Sequence, residues 1–161
     1  MSDGVLLAID PGNHTGWAAF QLATGELEAC GGVTPNEPIG RYQPALVAIE
    51  LPRQYLRGKA DPDDIIKLAV KVGRYVERFG GPDGRRCDIR LVKPSEWKGS
   101  IEKAQMTSRI DGALTPAERA LVARSGCPKS MHDDMLDAVG LGKWVLKQRR
   151  LDAALRAPVA A

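Results

Sequence analysis

Val5-Leu6-Leu7-Ala8-Ile9-Asp10-Pro11-Gly12 decides how the rest of the chain is read. Five apolar residues closed by Asp-Pro-Gly read as a buried strand running into a turn. Outward from it, Thr15 to Leu22 is apolar and aromatic enough for a second strand. Ala23-Thr24-Gly25-Glu26 is a turn, and Leu27 to Val33 supplies a third strand, which makes a meander of two hairpins. A second continuous apolar run, Ala45-Leu46-Val47-Ala48-Ile49, ends at Glu50-Leu51-Pro52. The period then changes. Ile65, Ile66, Ala69, Val70, Val72, Val76 and Phe79 recur at helical spacing, with Asp63 and Asp64 at the start and Gly80-Gly81-Pro82 at the end. Asp88 to Val92 reads as a fifth strand. Thr115-Pro116-Ala117-Glu118 opens a helix with a cap, a proline in the first turn and a capping-box glutamate. Ser130 to Leu146 is the last helix. The expected fold class is α/β: a mixed five-stranded sheet, an antiparallel three-stranded meander plus parallel strands, flanked by helices. A right-handed crossover through the first long helix joins the fourth and fifth strands. Residues 1–148 are expected to form one domain, and 149–161 a C-terminal tail or frayed helix end.

Composition limits the function classes. The 161 residues are 43% hydrophobic and 27% charged, which suits one globular domain. No apolar run approaches the roughly 18 residues that cross a bilayer. The N-terminus lacks the basic segment of a secretory signal, so no membrane association and a cytoplasmic location are expected. Cys30, Cys87 and Cys127 are widely spaced and form no CxxC pair, which argues for reduced thiols rather than a zinc ribbon or a redox pair. Net charge is +3 but unevenly spread. Residues 1–50 hold Arg41 as their one basic residue, whereas 51–110 are strongly basic. Such a division suits a protein that gathers cations at one place and phosphates at another, and equally suits solvated surface.

The acids fall at chosen places. Asp10 ends the first strand and Glu50 the fourth, so in neighbouring strands they meet at one sheet edge. Asp133, Asp134 and Asp137 open the last helix. Asp134 with Asp137, or Asp133 with Asp137, share a helix face with Cβ atoms about 5–6 Å apart. Clustered carboxylates need a cation. Their hard oxygens favour Mg2+ or Mn2+, and two such ions roughly 3.5–4 Å apart can drive phosphodiester hydrolysis. Each acid also has a plainer use. Asp10 suits a turn and Glu50 a strand-end charge. Asp133 suits the third position of a capping box begun by Ser130, and Asp134 the positive end of a helix. Asp137, a full turn in and flanked by Leu136, Ala138 and Val139, is the hardest to assign to surface.

In their order along the chain, these motifs resemble the RuvC-like Holliday junction resolvases of the RNase H-like superfamily. The resemblance rests on Ala8-Ile9-Asp10-Pro11-Gly12 with Thr15-Gly16-Trp17-Ala18, on Ala48-Ile49-Glu50, and on Asp134-Met135-Leu136-Asp137-Ala138. Pro94-Ser95-Glu96-Trp97-Lys98-Gly99, followed by Lys103-Ala104-Gln105-Met106, is similar to the family's lysine-bearing segment. The resemblance implies a crossover junction endodeoxyribonuclease of DNA recombination and repair. It implies two Mg2+ (or Mn2+) ions held by Asp10, Glu50, Asp134 and Asp137, with Lys103 also catalytic. A homodimer would cut a four-way junction and leave 5′-phosphates. Some members carry His at the third carboxylate; here His132 lies two residues earlier, an accessory candidate with Asp133.

For DNA contacts, Lys98 and Lys103 are the leading phosphate ligands, with Arg53, Arg57 and Lys59 as a second group. Trp97 or Tyr55 is placed to stack on an unpaired base, with core packing as the alternative. Trp17 and Trp144 read as core, and Arg85 and Arg86 as a turn away from the site. Three other functions fit less closely or equally well. A non-catalytic nucleic-acid-binding module need not keep all four acids. A sugar-kinase-like ATPase needs two domains and a Gly-rich nucleotide segment, so no nucleotide cofactor is expected. An RNase H-like nuclease acting on RNA-containing substrates would carry much the same metal site.

Overall fold

Alternation along the strands explains how the sheet is covered. The computed structural model describes residues 4–34, 37–40, 42–52, 61–81 and 86–156. Its strands are β1 (Val5–Pro11), β2 (Thr15–Gln21), β3 (Leu27–Val33), β4 (Leu46–Glu50) and β5 (Asp88–Val92). They form one sheet in the order β3-β2-β1-β4-β5. The β1–β2 and β2–β3 pairs are antiparallel, and β1–β4 and β4–β5 are parallel. This is the mixed sheet expected from the sequence; the second strand stops at Gln21, one residue short of the expected end.

Because side chains alternate, each strand feeds two cores. Leu6, Ala8, Ala18, Phe20, Leu46, Ala48 and Val92 lie in one core, together with residues of α3 (Lys103–Gly112), α4 (Pro116–Arg124) and α5 (His132–Arg156). Leu7, Ile9, Ala19, Val47 and Ile49 lie in the other, together with Val72 and Phe79 of α1 (Pro62–Gly80). Helix α1 starts as its acids imply: Asp61 is the cap and accepts from the Asp63 amide at 2.9 Å. Helix α4 has the expected capping box, with Thr115 Oγ1 accepting from the Glu118 amide and Glu118 Oε2 from the Thr115 amide. Cys30 is a core thiol; burial, and then the neighbouring Cys127, push it up to about 11.

One local expectation is corrected and two are filled in. The capping box expected at Ser130 and Asp133 is replaced by a 3-10 turn over Lys129–Met131, so α5 opens at His132 and Asp133 is its second residue. Helix α5 continues unbroken through position 148 to Arg156, as its alanines and leucines favour. The segment after β5, read only as a basic stretch, contains the one-turn helix α2 (Pro94–Trp97) and all of α3. Among the described residues no helix is long and apolar enough to cross a membrane.

Glycines set how closely α5 lies on the sheet. A Cβ on Gly16 of β2 would fall 1.8 Å from the backbone oxygen of Asp134, so the start of α5 rests directly on the β1–β2 hairpin. On the helix itself, Gly142 abuts Phe20, and Gly140 abuts Ile110 and Trp97.

Candidate active site

The β1–β4 register brings the first two acids together. Ala8 pairs with Ala48 and Ile9 with Ile49 in parallel; one residue further along lie Asp10 and Glu50. Counting by twos, Asp10 follows Leu6 and Ala8, and Glu50 follows Leu46 and Ala48, so both point to the α5 side of the sheet. Helix α5, held down on Gly16, brings Asp134 over this edge and Asp137 one turn further in. Asp137 is only 4% exposed. The acids feel one another: burial first, then Glu50, Asp137 and Asp134, hold the Asp10 carboxyl well above its ordinary range, with Lys98 opposing. Burial likewise pushes Glu50 up, against the pull of Lys98.

Residues 93–98 complete the cluster. Strand β5 ends with Val92 opposite Glu50. Pro94 then begins α2, whose Glu96 carboxylate accepts from the Lys93 amide at 2.7 Å. This turn points the next two side chains back at the acids. Trp97 Nε1 donates to Glu50 Oε2 at 2.7 Å. Lys98 Nζ lies 2.8 Å from Asp137 Oδ2 and 3.1 Å from Glu50 Oε2. Burial alone would pull the Lys98 ammonium down, but Asp10, Glu50 and Asp137 outweigh it and hold it above its ordinary value.

Of the expected DNA-contact residues, Trp97 and Lys98 face the acids in this structure. The indole packs on the core beside Gly140 rather than standing free for a base, and the ammonium is bound to carboxylates rather than presented to solvent. Lys103 is different: its side chain is 61% exposed, with Nζ 3.6 Å from Asp134 Oδ1 at the mouth of the cluster. His132 is half-buried and Asp133 exposed; among the described residues no hydrogen bond or ion pair ties either to the four acids. Arg53, Tyr55, Arg57, Lys59 and Arg85 lie outside the described residues. Trp17 packs on the α1-side core, 5.5 Å from the Tyr42 ring. Trp144 lies against the other core under the Arg90 guanidinium.

Sequence reasoning missed one cation beside the site. Lys71 of α1 donates to the Gly12 carbonyl in the turn that follows Asp10, and Tyr75, one turn on, donates to Thr15 Oγ1 at 3.1 Å. Both tie α1 to the hairpin that carries Asp10. The signal was a lysine and a tyrosine four apart on one helix face, masked by the apolar periodicity around them.

The donor set fits a hard divalent cation. Four carboxylates lie near one another at one sheet edge, Glu50, Asp134 and Asp137 each close enough to raise Asp10, and Asp137 Oδ1 is buried without a hydrogen-bond partner. Such an oxygen is costly unless something binds it. As they stand, no three acids, histidines or cysteines among the described residues close on one point, and the ammonium of Lys98 sits between two of the acids.

Solved structures resemble the chain, among them a Holliday junction resolvase and a RuvC. The crystal structure of the yeast mitochondrial Holliday junction resolvase Ydc2 is 13% identical, with 94% of this chain and 82% of that one covered and a TM-score of 0.62. The Thermus thermophilus RuvC structure is 16% identical, with 91% and 96% covered and a TM-score of 0.49. Neither a family model nor a curated protein matches the sequence. The mixed sheet, the position of α5 across it and the likeness to Ydc2 together show that this chain has the RNase H-like fold of the RuvC-like resolvases.

Proposed function

We propose that the chain is a metal-dependent, structure-selective DNA endonuclease that resolves four-way junctions or other branched DNA as a homodimer. One observation carries the reading: acids from β1, β4 and α5 converge at a single sheet edge, and one of their oxygens is buried and unpaired. Asp10, Glu50, Asp134 and Asp137 would hold two Mg2+ or Mn2+ ions. When bound, such ions lower the pKa of a coordinated water and neutralise charge on the phosphate and the leaving 3′-oxygen, so the product carries a 5′-phosphate. The chain's own residues supply the rest. Trp97 fixes the orientation of Glu50 through its indole N–H, and Gly16 lets Asp134 approach Asp10. Lys103, exposed beside Asp134, provides a cation for the phosphate backbone and for charge developing during the reaction.

The test is cleavage of a labelled four-way junction, beside duplex, flap and RNA–DNA hybrid, with Mg2+, Mn2+ or EDTA. Paired symmetric cuts in the junction, lost in EDTA and in Asp10→Asn, are the expected result. Preference for the hybrid would assign the site to RNA-containing substrates. Binding without cleavage under either metal would make the chain a nucleic-acid-binding module.

A further inference from the structure

The acid cluster already contains a cation that belongs to the chain. Lys98 Nζ contacts Asp137 at 2.8 Å and Glu50 at 3.1 Å, and lies 4.7 Å from the centroid of the Trp97 ring. Its side chain is 19% exposed. Two carboxylates and an aromatic ring thus surround the ammonium at contact distance. This is the setting of a counterion, unlike that of Lys103, whose side chain is mostly in solvent. The remaining oxygen of Asp137, Oδ1, is buried and unpaired, so the cluster retains room for further positive charge.

An ammonium and a divalent ion draw on the same oxygens. A magnesium ion binds carboxylate oxygens at about 2.0–2.1 Å and demands a fixed geometry. An oxygen turned to Lys98 cannot meet that demand without bringing two cations into close repulsion. We propose that Lys98 occupies one of the two cation positions of the cluster. With Lys98 in place the chain takes up a single divalent ion, and a second enters only when the ammonium leaves Glu50 and Asp137. This rests on reading the cluster as a metal site, and it adds a control on loading: the DNA-free protein is held in a partly loaded state by its own side chain.

The experiment is a Mn2+ titration of the DNA-free protein, followed by electron paramagnetic resonance of the free ion, for wild type, Lys98→Met and Lys98→Arg. Wild type and Lys98→Arg are expected to bind one ion per chain. Lys98→Met is expected to bind two, with overall affinity raised at least about tenfold, a modest share of what removing a unit charge at contact distance can yield. Its thermal midpoint should fall below that of wild type in chelator and recover with Mn2+. If Lys98→Met does not fold in chelator, Lys98→Gln, which keeps a donor but no charge, serves in the same titration. Equal stoichiometry and affinity in wild type and the neutral variants would overturn the role of Lys98 while leaving the metal site intact. No Mn2+ binding by any form would overturn both.

Discussion

At the scale of single residues, the site depends on contacts that differ in how visible they are beforehand. Asp137→Asn keeps the shape of the side chain but removes its charge, so cleavage should fall below detection while junction binding persists; a gel-shift assay beside a cleavage assay checks both. Trp97→Phe keeps an aromatic ring but removes the indole N–H that holds Glu50 Oε2. Loss of a group that orients a metal ligand typically costs about 10–100-fold in metal affinity or activity. The variant should therefore need more Mn2+ for half-maximal cleavage and approach the wild-type rate at saturation. An unchanged Mn2+ requirement would reduce Trp97 to packing. The placement of Asp10 and Glu50 was legible in the sequence because a carboxylate that closes an apolar run is placed by strand alternation alone. Trp97 and Lys98 were not. Polar neighbours leave Trp97 open between base stacking and core packing and make Lys98 a phosphate ligand; the one-turn helix α2, packed after β5, turns both inward. That turn depends on tertiary position, which periodicity does not report.

At the scale of elements, the closest backbone approach in the site is made by α5 on the hairpin. Gly16→Ala would place a methyl group 1.8 Å from the Asp134 carbonyl oxygen. Neither is the end of a flexible side chain, so the helix must shift. Overpacking of this kind costs about 1–3 kcal/mol or more, and the shift also displaces Asp134. Gly73→Ala on α1 is the control: nothing lies within 4 Å of the added methyl, and replacing glycine in a helix interior gains about 0.5–1 kcal/mol. Urea denaturation with cleavage assays should show Gly16→Ala losing both stability and activity, and Gly73→Ala losing neither. The cap of α4 gives a pH-dependent counterpart. Burial would raise the Glu118 carboxyl, but the Lys143 ammonium at 2.6 Å and the Thr115 amide hold it below the ordinary glutamate range. A depressed carboxyl stabilises the fold above its unfolded pKa, and that contribution disappears as pH falls through the folded value. Glu118→Gln should thus melt lower than wild type at neutral pH and converge with it in acid. The strands, α1 and α4 were legible because their apolar period or caps are strong. Helix α3 was not, since only Met106 and Ile110 along it are buried.

At the scale of the whole molecule, the site is a place where negative charge on the protein meets negative charge on its proposed substrate. The acids that gather cations would also repel phosphates, so binding must be carried by lysines and arginines placed around them. Residues 51–110 carry that excess of basic charge, and Lys103, unlike the enclosed Lys98, stands at the edge of the acids with Nζ 3.6 Å from Asp134 Oδ1 and most of its side chain in solvent. An exposed pair of this kind contributes little to stability, which leaves the ammonium free to exchange Asp134 for a phosphate. Each phosphate contact removed lowers the slope of log affinity against log salt by about 1. Lys103→Ala should therefore weaken junction binding across roughly 50 to 200 mM salt with a shallower slope and no change in melting temperature. Asp134→Asn should act in the opposite direction, strengthening metal-free binding because one repelling charge is gone and Lys103 is released. Fluorescence anisotropy in EDTA measures both variants without cleavage. If Lys103→Ala kept the wild-type slope, Lys103 would lie outside the interface, and the DNA path would have to be sought among the other basic residues of that segment.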